Sequence, residues 1–210
     1  CQDFVDNRSP SYVGVLGVAM DEALATRMRD ADFVLAIGGR LGEVPTRRYT
    51  LLEPPSPRQT LVHVHPDPGE LGRVYEPDLA IAATLPEVAA ALRADSPVQP
   101  RWHEWTAAAR GDYEGTLQYE PMEGPVDLGE IMAVLRDRLP GDAVQTCGAG
   151  NFTVWAHRFA RFTEFGTRAC PRSGSMGYAL AAAVAAKLIH PERVVVGVRS
   201  GQDTRHLDVL

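Results

Sequence analysis

The run Ala31-Asp32-Phe33-Val34-Leu35-Ala36-Ile37-Gly38-Gly39 constrains the chain most. Its apolar stretch is too short for a helix and has no polar face for solvent, and glycines close it. That pattern predicts a strand buried on both faces, as in a parallel sheet. Parallel strands need crossover helices, and the neighbouring sequence supplies them. Residues 21–30 mix apolar and charged positions at helical spacing. A second strand is expected over 60–65, closed by Pro66 and followed by a Pro-started turn in Asp67-Pro68-Gly69-Glu70. A third, over 79–83, precedes an Ala-rich helix over 85–94. Helix, strand, strand, turn, strand and helix in this order predict a three-layer α/β unit.

Prolines 97, 100, 121 and 125 flank a short helix expected over 102–110, so residues 96–125 read as a linker. The pattern then restarts. A helix is expected over 128–139, a strand over 143–146 ending in a Gly-rich turn, and helices over 153–162 and 176–189. A strand over 193–198 follows. The fold class is therefore α/β, built of three-layer parallel-sheet units: one over residues 1–95 and a second over 126–210.

Several function classes drop out on composition. With 45% hydrophobic and 23% charged residues, the chain can bury a core and is not expected to be disordered. Its net charge of −6 argues against nucleic acid as a partner. The longest apolar run, over 178–186, stops at Lys187, about half a membrane span, so no membrane partner is expected. Three cysteines, with no Cys-x-x-Cys pair, fit a reducing cytoplasm better than a disulfide framework or a zinc ribbon. The chain opens on Cys1 with no charged leader or apolar signal core, and reads as a fragment of a longer protein.

No Gly-x-Gly-x-x-Gly or P-loop motif is present. A nucleophile elbow fails because Ser173 stands where Gly-x-Ser-x-Gly needs glycine. His63 and His65 share one face of the second strand about 6.6–6.8 Å apart, near Asp67. They suit either two metal ligands or a strand end whose histidines cap loops, and no third ligand has a spacing that forces the metal. More informative are Gly148-Ala149-Gly150-Asn151, between a strand and a helix, and Ser173-Gly174-Ser175-Met176-Gly177 before the next helix. Backbone N–H groups at such a turn suit a phosphate. Gly177, Ala181 and Ala185 recur every four residues, a stripe that fits tight helix-on-sheet packing better than a flat ligand.

Together these segments resemble the thiamine-diphosphate-dependent enzymes of the acetolactate synthase group. The resemblance is carried by Gly148 to Asn151 before Trp155-Ala156, by Ser173 to Tyr178, and by His190-Pro191-Glu192-Arg193 before a strand. Tyr12-Val13-Gly14, Ala31 to Gly42, and His63 to Glu70 carry it in the first half. It implies a fragment of a three-domain protein: the C-terminal part of the central, Rossmann-like domain over 1–95, then the first half of the diphosphate-binding domain over 126–210. It also implies thiamine diphosphate with Mg²⁺ as cofactor and a 2-keto acid as substrate. The reactions implied are decarboxylation and carboligation (transferase and lyase chemistry), in a homodimer or homotetramer of the full-length protein. Ala149, Gly150, Asn151 and Phe152 would meet the diphosphate, mainly through backbone groups. Gly174, Ser175 and Met176 would meet the rings, the Gly174 carbonyl accepting a hydrogen bond and Met176 wedging between the rings to hold the cofactor bent.

The pattern also breaks. The family's activating glutamate lies on a pyrimidine domain with no counterpart here, so the chain holds no catalytic side chain and is expected to be inactive alone. The family's magnesium-binding Gly-Asp-Gly is replaced by Arg199-Ser200-Gly201-Gln202-Asp203, as a frame error or a truncation would produce, so no metal ligand is assigned. Gly42-Glu43 after the Gly-x-Arg turn, and His65 where an aspartate is common, disfavour FAD. A catalytically inactive remnant that only binds is the alternative. A nucleotide-binding module built on Gly38-Gly39-Arg40 is a further one. A half-built second domain would leave apolar faces uncovered, which predicts poor solubility.

Overall fold

A computed structural model describes residues 2–93 and 101–200. The chain divides into two compact units, Leu16–Ala109 and Cys1–Val15 with Arg110–Leu210.

In the first unit, helix α1 (Glu22–Asp30) starts at Asp21, whose carboxylate accepts a hydrogen bond from the Ala23 N–H at 2.8 Å. Strands β1 (Phe33–Ile37), β2 (Thr60–His65) and β3 (Leu79–Ala82) form a parallel sheet in that order. Phe33 pairs with Thr60, and Val62 with Leu79. Helix α2 (Leu85–Ala91) follows, with Thr84 and Glu87 closing a capping box at its start. Val34, Ala36 and Leu61 pack with Leu41, Leu52 and Tyr75, joined by Met28 of α1. Leu52 and Leu61 are fully buried, each stabilising the unit by roughly 1.5–3 kcal/mol.

The expectation that β1 is buried on both faces is corrected. Its burial alternates: Val34 and Ala36 enter the core, while Phe33, Leu35 and Ile37 are exposed, as are Leu79 and Ile81 of β3. The residues of α1 and of the connections that reach β1 gather on the Val34–Ala36 face. An apolar run alone does not report how many faces are covered.

The second unit holds the end of α3 (His103–Thr116), which runs across the boundary between units, and α4 (Leu128–Arg138). Strand β4 (Val144–Cys147), helix α5 (Phe152–Phe159), strand β5 (Arg168–Ala169), helix α6 (Tyr178–Ile189) and strand β6 (Val195–Val198) complete it. The sheet is parallel, in the order β5-β4-β6. It separates two helical layers. Cys147 and Val198 pack with Met132 of α4 and Ala156 and Phe159 of α5, whereas Val144 and Val195 pack with Ala183 and Ala186 of α6. The α/β class with parallel sheets and flanking helices is thus as the residue pattern predicts.

Element ends shift for local reasons. Helix α6 begins at Tyr178, not Met176, because Gly177 is left-handed (φ 80°). Helix α5 stops at Phe159, and Phe162 leaves the helix to enter the core. Strand β5 has only two residues and no apolar run to announce it.

Residues 2–15 belong to the second unit through polar contacts. The Asn7 amide donates to the carbonyls of Gln2 and Val5 at 2.8 Å and accepts from the Phe162 N–H at 3.0 Å. The Asp3 carboxylate accepts from the N–H groups of Gly166 and Arg168. One Arg110 nitrogen donates to the carbonyls of Asn7, Ser9 and Tyr12.

Candidate cofactor-binding site

Two loops leave the carboxyl ends of neighbouring strands, where open α/β sheets bind ligands. Strand β4 runs into Gly148-Ala149-Gly150-Asn151, and β5 runs through Cys170 into residues 171–177. Because β4 and β5 pair in parallel, both loops emerge at the same end of the sheet, side by side. Arg168-Ala169 is therefore the element that brings the two sequence segments together, and its brevity hid it.

The first loop is built from the strand outward. The Gly148 N–H donates to the Val198 carbonyl at 2.9 Å, which ties the turn to β6. The Gly150 carbonyl accepts from both the N–H and the hydroxyl of Thr153, at 3.0 and 2.6 Å. Among the described residues, no hydrogen bond engages the N–H groups of Ala149, Gly150 or Asn151. Asn151 opens α5 without a side-chain cap and is exposed. Phe152 contributes beyond its backbone: its ring folds back over the turn, so a Cβ on Gly150 would lie 2.5 Å from Cε1. Glycine at 150 is thus a packing requirement.

The second loop is exposed from Arg172 to Tyr178. Gly174 (φ 69°) and Gly177 (φ 80°) are left-handed and bracket Met176, whose side chain is 76% exposed. The hydroxyls of Ser173 and Ser175 lie 2.8 Å apart in a hydrogen bond. The Gly177–Ala181–Ala185 stripe is corrected: it faces solvent, and tight packing falls to Ala179 and Ala183. Ala183 Cβ sits 3.5 Å from where a Cβ on Gly197 would be, and the Thr146 hydroxyl donates to the Ala179 carbonyl at 2.7 Å. The starting angle of α6 makes the difference, because the buried arc is offset from 177 by two residues.

Burial holds the His157 imidazole of α5 down to about 4, with the Arg168 charge acting the same way. Unfolded, the ring titrates near 6.5, so between the two values the unfolded chain binds the extra proton. Stability is unaffected above pH 6.5, falls as pH drops towards 4, and levels off below it. Denaturant midpoints of the native chain are expected to fall across that window by more than those of His157→Gln. Equal pH slopes would count against it.

The His63–His65 pair is used for structure. Their rings are 6.3 Å apart on one strand face. His63 Nε2 donates to the Gly39 carbonyl at 2.8 Å, and His65 Nδ1 accepts the Asp67 N–H at 3.0 Å. Among the described residues, no group of three His, Cys, Asp or Glu side chains could hold a metal ion. In the Gly38-Gly39-Arg40 turn, the Gly38 N–H donates to Val64 and Arg40 lies 3.7 Å from the buried Glu70. Gly201, Gln202 and Asp203 lie outside the described residues. No helix among the described residues is long and apolar enough to cross a membrane.

Comparison with known proteins matches two segments of the chain. Residues 1–92 match the model of the thiamine pyrophosphate enzyme central domain, and residues 148–200 match that of the C-terminal thiamine-pyrophosphate-binding domain. The chain is 27% identical over 197 residues to an acetolactate synthase large subunit of Parasynechococcus marenigrum, covering 91% of this chain and 31% of that protein. Against the Escherichia coli isozyme 2 large subunit, identity is also 27% over 197 residues, covering 89% of this chain and 33% of the relative. The Pyropia yezoensis large subunit is 25% identical over 199 residues, covering 90% and 33%. The chain thus spans about a third of the length of these curated relatives. With both domain types matched in order, and the two glycine loops set on adjacent parallel strands, the chain belongs to the thiamine pyrophosphate enzymes.

Proposed function

We propose that this chain forms the central-domain segment (1–95), a connector (96–125) and the first half of the diphosphate-binding domain (126–210) of an acetolactate synthase-like enzyme acting on 2-keto acids. The observation that carries the reading is the pair of loops at the ends of β4 and β5, one with unengaged N–H groups and one presenting Met176 between left-handed glycines. Thiamine diphosphate fits this chemistry: an anion for the free N–H groups of Ala149, Gly150 and Asn151, and a flat body for the exposed Met176 side chain. When bound, the cofactor supplies an electron sink for decarboxylation of a 2-keto acid and addition of the product to a second carbonyl.

This chain's own groups bind and orient. Phe152 packs against the first turn, and the Gly174 carbonyl, Ser175 and Met176 would meet the cofactor's rings. No side chain here is assigned a catalytic role, and no residue is assigned to Mg²⁺ or FAD. A homodimer or homotetramer of the longer protein and a cytoplasmic location belong to the same reading.

Titration of the chain with thiamine diphosphate and Mg²⁺, followed by calorimetry, tests it. The diphosphate should bind at least tenfold tighter than thiamine, because the assigned contacts lie at the phosphates. Gly150→Ala should weaken that binding tenfold or more, its methyl displacing the Phe152 ring, while the far-UV circular dichroism stays unchanged. Equal affinity for thiamine and its diphosphate would sink the assignment. A second reading, a catalytically inactive remnant, is favoured by Arg199 and Ser200 directly after β6. Binding that does not respond to Mg²⁺, with no turnover of pyruvate in a protein extended to its relatives' length, would support it.

A further inference from the structure

Cys147 closes β4, and Cys170 follows β5 directly. Gln145 pairs with Arg168 and Thr146 with Ala169, so Cys147 and Cys170 each stand one residue beyond the last registered pair. Registered residues on neighbouring parallel strands project to the same face, and both cysteines pack against the cluster of Met132, Ala156 and Phe159. Such strands lie about 4.7–4.9 Å apart, inside the roughly 4.4–6.8 Å between Cα atoms that a disulfide spans. Both are free thiols, Cys147 buried and Cys170 partly exposed.

We propose that Cys147 and Cys170 are a dithiol–disulfide pair, oxidised by a low-molecular-weight disulfide, that links β4 to β5 beneath the two glycine loops. Cys170, the one a solute can reach, loses its proton and attacks one sulfur of the small disulfide. That sulfur–sulfur bond breaks, a small thiolate leaves, and a mixed disulfide remains on Cys170. The Cys147 thiolate then attacks the Cys170 sulfur and expels the second small thiol. Two protein thiols have lost two protons and two electrons, and the small disulfide has become two thiols. Burial pushes the Cys147 thiol up to about 11, so the second step is slow near neutrality and quickens with pH. The bond would fix the spacing of loops 148–151 and 171–177. That consequence rests on the cofactor reading, whereas the thiol chemistry does not.

The test uses the whole chain in a Cys1→Ser background, incubated natively with excess oxidised glutathione, alkylated and digested with trypsin. The expected product joins peptides 139–158 and 169–172, is two hydrogens lighter than their sum, and disappears with dithiothreitol. In Cys147→Ser, glutathione should remain on Cys170. In Cys170→Ser, Cys147 should stay a free thiol, with circular dichroism confirming that each variant is folded. Persistent glutathione on Cys170 of the native chain, with Cys147 alkylated only after unfolding, overturns the proposal. So does a peptide link found only between two chains. Failure of thiamine diphosphate to bind would leave this mass result untouched.

Discussion

Phe159→Ala is expected to lower the stability of the second unit by about 3–5 kcal/mol, measured by urea unfolding followed by far-UV circular dichroism. The side chain is fully buried at the end of α5. Trp155 stacks on it at 5.6 Å, Tyr119 meets it edge-on at 5.8 Å, and the Arg158 guanidinium lies 5.0 Å from its centroid. Truncation removes the transfer free energy of the ring and two aromatic pairs worth roughly 0.5–1.5 kcal/mol each. It also leaves a cavity that Met132 of α4 and Phe162 border. The gap closes only if α4 or α5 shifts as a whole, so part of the cavity cost remains. Because Cys147 and Phe152 belong to the same cluster, the 148–151 turn should loosen as well, and Phe159→Leu should lose far less than the alanine variant. A loss below about 1 kcal/mol for Phe159→Ala would mean that the cluster is not the unit's core.

The strands and glycine loops were legible because each is a local signal: apolar runs closed by Gly or Pro, and turns whose left-handed residues are glycine. Gly177 shows the same rule from the other side, since its left-handed backbone sets the start of α6. What stayed hidden is non-local. Periodicity places Val34 and Phe33 equally well, and only packing shows that one is buried and the other bare. The stripe at 177, 181 and 185 has the same small residues as the buried pair at 179 and 183, and only the helix's setting on Gly197 separates them. Strand β5 is too short to carry a pattern, yet it positions the second loop. The roles of Ala149 to Phe152 and of Gly174 to Met176 come from family resemblance; the glycine turn itself announces N–H groups for an anion, and the fold adds which of them, at 149, 150 and 151, are left without a hydrogen bond.

The attachment of residues 2–15 gives the other large expected effect, because it rests on one buried amide. Asn7 is 1% exposed, and its side chain satisfies the carbonyls of Gln2 and Val5 and the N–H of Phe162, which lies 155 residues further along the chain. Its own N–H also donates to the Phe162 carbonyl at 2.9 Å, so the amide side chain completes a two-way clasp with that residue. Asn7→Ala keeps the backbone bond but strands the Phe162 N–H and the Gln2 carbonyl in the interior. At about 1–3 kcal/mol for each buried group left without a partner, the expected loss is roughly 2–6 kcal/mol. Asn7→Asp separates hydrogen bonding from shape, since a carboxylate of nearly the same volume can still accept from Phe162 but faces the Gln2 and Val5 carbonyls with no proton to give. Burial and those carbonyls disfavour its charge, so its carboxyl should titrate higher folded than unfolded. The folded state then binds more protons, and the variant should regain stability as pH falls from 7 through the carboxyl range, while the alanine variant shows no such recovery. Urea midpoints of the two variants at pH 7 and pH 5 test this directly. Recovery in neither would show that the clasp's polarity is not what anchors the segment, and that its apolar contacts, such as Phe4 stacked on Phe165 at 5.5 Å, hold it instead.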